Sequence, residues 1–260
     1  LSIVFPLCLV FLLRKKNTNL QKMILFLLCF CFVYMIVLTT SRGAILSIFI
    51  TLFLFNESRK NKFLSVLTLF SIPLILSSIR VFSINLQSTI YDFLPYELIK
   101  KASLTNIGNI NFFPRIEIWQ KSFELIKSNL FTGYGAGSFE SLYNQSNGIF
   151  GEIQHSHNIF LELAINHGLL SSLIIFLIMI YLIIFSWRSV SNKLCKKLND
   201  DNLALFNNFD KAWIISFIIF FLLHIVDITY FDGRISTISW ILLAGMASII
   251  KGENVLKRES

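Results

Sequence analysis

The chain has 260 residues, of which 55% are hydrophobic and 15% charged, with 27 Phe and a mean hydropathy of +0.68. Such a composition excludes a soluble globular enzyme. The formal charge of +8 would suggest nucleic acid in a soluble protein, but in a membrane protein it follows from the Lys/Arg excess of cytoplasmic loops, and no nucleic-acid partner is expected.

Apolar runs predict helical spans at roughly 1–13, 23–41, 39–55, 63–80, 158–187, 212–228 and 235–250, sized for a hydrocarbon layer of about 30 Å. The expected fold class is all-α: a polytopic transmembrane helical bundle of about six to seven spans with one long, partly helical periplasmic loop. In this division 1–80 holds transmembrane helices, 81–157 is the loop, and 158–260 holds transmembrane helices and a cytoplasmic tail. Leu1 already lies in an apolar stretch with neither an initiating Met nor a charged leader, which reads as a fragment lacking upstream helices, its first span cut short. Cys8, Cys29, Cys31 and Cys195 read as free thiols, since a Cys-x-Cys pair on a helix points its sulfurs apart.

Basic residues cluster at 14–22, 59–62, 188–211 and 251–258, and alternating spans place all four clusters on one side. That side carries 15 Lys/Arg against 6 acids, the other 8 against 9. The positive side stays in the cytoplasm, so the segments around Arg42, 81–157 and 229–234 face outward and can share one site.

The 81–157 connection is too long for a minimal bundle and is expected to carry function. Residues 89–102 and 114–127 read as amphipathic helices. The second opens with Pro114 at the favoured first position and sets Ile116, Trp119, Phe123 and Ile126 along one stripe. A flexible Gly133–Gly137 turn follows, and the segment closes with His155-Ser156-His157-Asn158.

Charged residues at the membrane boundary point to chemistry. Residues 44–55 make only about 18 Å of helix, so that span must enlist Thr39 to Gly43, which puts Arg42 at the outer boundary, costly unless it snorkels or meets an anion. Arg115 stands in a first helical turn, where the dipole disfavours a cation unless a phosphate or carboxylate joins it. Asn158 can cap the next helix. Residues 158–187 would run about 45 Å, so this helix projects outward or breaks near Gly168. The positive end of a helix favours an uncharged imidazole at His157, and such a ring accepts a proton from a sugar hydroxyl. Zinc at His-x-His is not expected, because no Cys or third His lies at ligand spacing. In the last outward turn Asp227, Asp232 and Arg234 can orient the histidine or balance the arginines, or Asp232 and Arg234 can simply pair.

Ser41-Arg42-Gly43-Ala44 with Leu46, Pro114-Arg115-x-x-x-Trp119, Gly133–Phe139, and His155–Asn158 with Gly168 eleven positions after His157 together resemble the O-antigen ligase and polymerase superfamily. The resemblance runs over about residues 20–250 and corresponds to the C-terminal half of a typical member. It implies glycosyl transfer at the periplasmic face of the bacterial inner membrane, from an undecaprenyl-pyrophosphate-linked glycan to an acceptor hydroxyl, in ligases a sugar of lipid A-core. It also implies inversion and no metal or other cofactor. On that pattern Arg42 and Arg115 bind the pyrophosphate and His157 is the general base. Asp232 or Asp227 steadies the site, Asp232 and Arg234 count among the substrate-binding residues, and His155 assists there or merely packs.

The alternatives are an O-antigen polymerase, which differs only in acceptor, a bicarbonate or other anion transporter, and a scaffolding membrane protein. Catalysis predicts that Arg42, Arg115 and His157 line one outward cavity. Transport predicts internal repeats and broken helices at the midplane, of which the sequence shows neither.

Overall fold

The computed structural model describes residues 1–14, 16–39, 41–55, 114–145, 153–195, 201–228 and 232–258. Among these residues there are nine helices and no strands: α1 Phe5–Leu12, α2 Asn19–Leu38, α3 Arg42–Phe55, α4 Pro114–Ser128, α5 Phe139–Gln145, α6 Ile159–His167, α7 Leu169–Cys195, α8 Asp201–Val226 and α9 Gly233–Arg258. The protein is a helical membrane protein. Four of the helices are long and apolar enough to cross a bilayer, over Asn19–Ile36, Leu169–Ser191, Asn207–Val226 and Gly233–Gly252, and Gly43–Phe55 is a shorter apolar helix. The expected span at 63–80 and the amphipathic helix at 89–102 lie outside the described residues.

The chain divides into two compact units, Leu1–Asn109 with Val190–Ile219, and Ile110–Ser189 with Phe220–Ser260. In the first, α2 is started by a reciprocal capping box. The Thr18 amide donates to Gln21 Oε1 (3.0 Å) and the Gln21 amide to Thr18 Oγ1 (3.3 Å), satisfying two donors that a helix start leaves over. Met23, Ile24, Phe26, Leu27 and Phe30 are more than half exposed, as suits a surface facing lipid rather than water.

α3 differs from expectation. It begins at Arg42 itself, and neither Thr39 nor Ser41 is enlisted, because Thr39 Oγ1 donates back to the Ile36 carbonyl (2.6 Å) at the end of α2 while Ser41 Oγ accepts the Ala44 amide (3.4 Å) as an N-cap. The far end of α3 is closed by buried Lys211, whose ammonium donates to the Phe55 carbonyl (3.2 Å) and lies over the Phe55 ring, placing a cation where the helix dipole is negative.

In the second unit α7 and α9 are joined by hydroxyls. Ser186 Oγ donates to the Met246 carbonyl (3.2 Å) and Ser189 Oγ to the Ile249 carbonyl (3.3 Å), both serines being wholly buried. Small polar residues let helix backbones approach closely where lipid offers no hydrophobic drive.

Of the two expectations for 158–187, an outward projection or a break near Gly168, the break is found, and Gly168 separates α6 from α7. Gly168 has φ 84° and faces a second left-handed glycine, Gly133, with φ 66°. A Cβ on Gly133 would lie 2.6 Å from both the Gly168 nitrogen and the Ile165 oxygen, and one on Gly168 would overlap the Phe131 carbonyl. Such backbone contact is open only to glycine. It lets the amides of Tyr134 and Gly135 donate to the last carbonyls of α6, Ile165 (2.8 Å) and Asn166 (3.0 Å), and the Leu169 amide to Leu130 (2.7 Å). Part of the expected flexible glycine turn is thus the cap of α6.

α4 and α6 pack around a core of Ile118, Ile126, Phe139, Tyr143, Ala164 and Ile165, with Trp119 alongside. Trp119 and Ile126 fall where the expected stripe puts them, but Ile116 and Phe123 are exposed and Ile118 and Ser122 take the interior. The inward face is turned by about a quarter of a revolution. Ser122 can be buried because its hydroxyl donates to the Ile118 carbonyl (2.7 Å) of its own helix, so its polarity does not mark an outer face.

Candidate active site

Asn158 organises the site. As N-cap of α6 its Oδ1 accepts the amides of Phe160 (2.9 Å) and Leu161 (3.3 Å). Its Nδ2 donates to the Ile225 carbonyl (3.0 Å), in the last turn of α8. One side chain thus serves the unpaired donors of one helix and an unpaired acceptor of another. Below it the Phe160, Phe176 and Phe221 rings meet at centroid distances of 4.7, 5.6 and 5.9 Å, fastening α6, α7 and α8 together. The residue before Asn158 and the residue after Val226 are therefore brought face to face, although seventy positions separate them.

Those residues are His157 and Asp227, and His157 Nδ1 lies 2.9 Å from Asp227 Oδ1. The Asp227 carboxyl is held below the usual carboxylate range, first by this bond and then by the charge of His157, the Ile228 amide and the charge of Arg115, against the opposing effect of burial. An ionised carboxylate only accepts, so Nδ1 carries the shared hydrogen, and in the neutral ring Nε2 keeps the free lone pair.

His157 has a left-handed backbone, φ 53°, a conformation costing a non-glycine residue about 1 kcal/mol or more and sustained only when its surroundings over-determine it. Ser156 does so. It is wholly buried, and its amide donates to Glu162 Oε2 (2.9 Å), its carbonyl accepts the Trp119 indole N–H (3.1 Å), and its hydroxyl donates to the Asn158 carbonyl (3.0 Å). Glu162 is itself 3% exposed, and burial pushes its carboxyl up despite the hydrogen bonds from Ser156 and Asn166 and the charge of His157. His155 stacks near His157 at 4.5 Å between ring centroids, with Nε2 4.0 Å from Asp227 Oδ1. Burial first, then the charge of His157, lowers its pKa.

Arg115 is exposed in the first turn of α4, near enough for its charge to act on Asp227. The structure therefore brings His157, His155, Asp227 and the charge of Arg115 together. Asp232 and Arg234 instead pair with each other, Nη2 to Oδ2 at 2.8 Å and Nε to Oδ1 at 3.1 Å, which lowers the Asp232 carboxyl to about 2. Arg42 opens α3 in the other unit, and its side chain lies outside what the structure describes.

Sequence reasoning missed Trp119 and Ser156 as parts of the site; the close Pro-Arg-x-x-x-Trp and His-Ser-His-Asn spacings were their only signal. It also found no third metal ligand beside His-x-His. In the fold Asp227 supplies a carboxylate, and ligand atoms of His155, His157 and Asp227 lie within 4.8 Å of one another. Elsewhere in the unit a cavity of about 470 Å³ between α4, α6 and α7 is walled almost wholly by hydrocarbon, including Phe123, Leu130, Phe160, Leu173 and Phe176, with Lys127 beside it.

The helical scaffold thus holds an imidazole oriented by a carboxylate, with the charge of a guanidinium acting on the same carboxylate. The sequence profile described as O-antigen ligase matches residues 24–176, more than half of the chain, and the protein belongs to that family. It is also similar to the ComP-specific O-oligosaccharyltransferase of Acinetobacter baylyi, with 28% identity over 200 residues, covering 74% of this chain and 34% of the relative. The chain thus spans about a third of that relative's length. No solved structure matches it.

Proposed function

We propose that the protein is a glycosyltransferase of the bacterial inner membrane that moves a glycan from undecaprenyl pyrophosphate to an acceptor hydroxyl at the periplasmic face. The acceptor hydroxyl gives its proton to His157 Nε2 as its oxygen attacks the anomeric carbon from the side opposite the pyrophosphate, and the anomeric C–O bond breaks with inversion. Asp227 holds the ring in the tautomer that leaves Nε2 free and balances the imidazolium as it forms. Arg115, with Arg42, binds the pyrophosphate and neutralises the charge it gains as it departs. Guanidinium screening makes pyrophosphate an adequate leaving group, so no step calls for a metal. The Asp227–His157 pair carries this reading, because it leaves one basic nitrogen open beside a cation. Family membership supports the ligase-like transfer, and the hydrocarbon-walled cavity suits part of a lipid chain.

The test supplies purified full-length protein with an undecaprenyl-pyrophosphate glycan and three acceptors: a lipid A-core glycan, the glycan repeat unit, and the hydroxyl acceptor implied by the relative's O-oligosaccharyl transfer. A lipid A-core product gives a ligase and chain extension a polymerase. His157→Ala is expected to lower the rate by about 10²-fold or more, and Arg42→Ala and Arg115→Ala to weaken donor use. Product formation unaffected by the His157 change sinks the assignment, and bicarbonate uptake by protein-containing vesicles would favour transport instead.

A further inference from the structure

We infer that the His155, His157 and Asp227 cluster is a capture site for a divalent transition-metal ion of the zinc type, and that the ion switches off His157 as a proton acceptor. The ligand set is two imidazoles and one carboxylate, which suits zinc, cobalt or nickel and not magnesium or calcium, whose preferred shells are all oxygen. The geometry is close to what such an ion needs. With metal–ligand bonds of about 2.0–2.2 Å, tetrahedral ligands stand about 3.4 Å apart. Here His157 Nδ1 to Asp227 Oδ1 is 2.9 Å and His155 Nε2 to the same oxygen is 4.0 Å, separations that bracket that value. The three ligand atoms lie within 4.8 Å of one another, and all three side chains are partly exposed, so an ion can enter and keep water in the fourth position.

The ligating atoms come from a rigid frame. The His155–Asn158 turn is fixed by Ser156 and Asn158, and Asp227 Oδ1 also accepts the Ile228 amide (2.9 Å), an outer contact that orients the carboxylate. Arg115 opposes the ion by charge, which makes this a weaker site than a four-ligand structural one.

The consequence concerns one ring with two tautomers and rests on the proposed transferase role of His157. In the transferase form the hydrogen of the neutral imidazole is on Nδ1, donated to Asp227, and Nε2 is open. A metal ion at Nδ1 takes that lone pair, so the same single hydrogen must reside on Nε2. No proton is gained or lost overall, but the nitrogen that would receive the acceptor's proton is already occupied. Metal capture and base catalysis are thus mutually exclusive states of the same side chain.

Titration of the full-length protein with Co²⁺, followed by ligand-field absorption, tests the site without reference to activity. One equivalent is expected to bind, to be displaced by Zn²⁺, and to be unaffected by excess Mg²⁺. His155→Ala and Asp227→Asn should each abolish the absorption band while leaving the thermal melt cooperative, and exposed His167→Ala should leave it unchanged. Absence of a band in the wild type, a band retained in both cluster variants, or one lost in His167→Ala overturns the site. If transfer is detected, half-inhibition by Zn²⁺ should coincide with half-displacement of Co²⁺, and full activity at full occupancy overturns the tautomer switch. A protein that binds Co²⁺ as described yet transfers no glycan refutes the transferase reading alone.

Discussion

Two pairs in the second unit have nearly the same length and opposite origins. His157 and Asp227 meet at 2.9 Å across seventy positions, and Arg234 and Asp232 meet at 2.8 Å across two. The second pair closes within its own turn and is exposed. The first exists only because Asn158 ties α6 to α8, three Phe rings lock those helices, and Trp119 and Glu162 hold Ser156 in place. A contact that needs so many others is one for which the fold has been organised, and its His157 backbone stands in a costly conformation as well. Equal distances therefore carry unequal meaning, and substitutions should separate the two pairs by orders of magnitude.

The largest effect is expected from Asp227→Asn. The amide keeps nearly the same shape, but it offers either an acceptor or a donor to Nδ1 and no charge to balance an imidazolium. Transfer should fall about 10²-fold or more with little change in substrate KM. The wild-type carboxylate contribution has a defined pH range. Since the folded-state carboxyl is shifted down, chiefly by the His157 bond, its stabilisation is fully present above the unfolded value of about 3.9 and is lost as pH falls through the lowered one. Melting curves should show it at neutral pH and lose it only in strong acid. An Asp227→Asn enzyme with wild-type kcat would reduce the pair to a surface contact like its neighbour.

Trp119→Phe should come next. The ring still fills its place beside the core of α4 and α6, and only the hydrogen bond to the Ser156 carbonyl is lost. An unmade neutral hydrogen bond at a partly buried carbonyl costs about 1–2 kcal/mol. If that loosens the left-handed turn, kcat falls by about tenfold while donor KM holds. A fall in melting temperature with unchanged kcat would make Trp119 a packing residue alone.

Trp119 also shows where sequence reading stops. The helix at 114–127, the Asn158 cap and the break at Gly168 were legible because each follows from a local rule: proline at a first turn, an amide side chain ahead of an apolar run, a run too long for the bilayer. The apolar stripe was legible only in part, since Ser122 is buried through a bond to its own helix. Ser156 gives no chemical signal by itself, yet its three hydrogen bonds set His157. Asp227 and Asp232 are equivalent in sequence, five positions apart in one polar turn. Contacts of tertiary structure select between them, the Asn158 to Ile225 bond and the Phe160, Phe176 and Phe221 rings that fix α6 on α8.

Glu162→Gln is a smaller perturbation with a signed pH dependence. Gln retains an oxygen for the Ser156 amide and removes an ionisable group from a buried place. Because burial raises the wild-type carboxyl, the folded chain holds that proton to higher pH than the unfolded chain does. Ionised Glu162 therefore costs stability at neutral pH, and the cost is relieved as pH falls through the raised folded value to the unfolded value of about 4.3. Acidification should raise the melting temperature of the wild type relative to Glu162→Gln over that window, while the variant keeps most of its transfer activity. A constant difference between the two melts would mean that the carboxyl already titrates as in the unfolded chain.

Asp232→Asn should do least, and the reason is specific to its turn. Asp232 caps α9, with Oδ1 accepting the Arg234 amide (2.9 Å) and its carbonyl accepting the Ser236 amide (3.0 Å). Asparagine caps a helix about as well as aspartate, so the start of α9 survives. What is lost is the carboxylate, which Arg234 holds down to about 2, and with it an exposed ion pair of the kind that salt and water largely screen. The melting temperature should not change measurably, and transfer should stay within about threefold of wild type, as for most exposed substitutions. Donor KM is the informative quantity, because the substitution releases Arg234 from its acid. A lower KM in Asp232→Asn, abolished again by adding Arg234→Ala, would place that guanidinium in the pyrophosphate's path. A tenfold loss of kcat would instead put Asp232 beside Asp227 in function and remove the distinction between the two pairs.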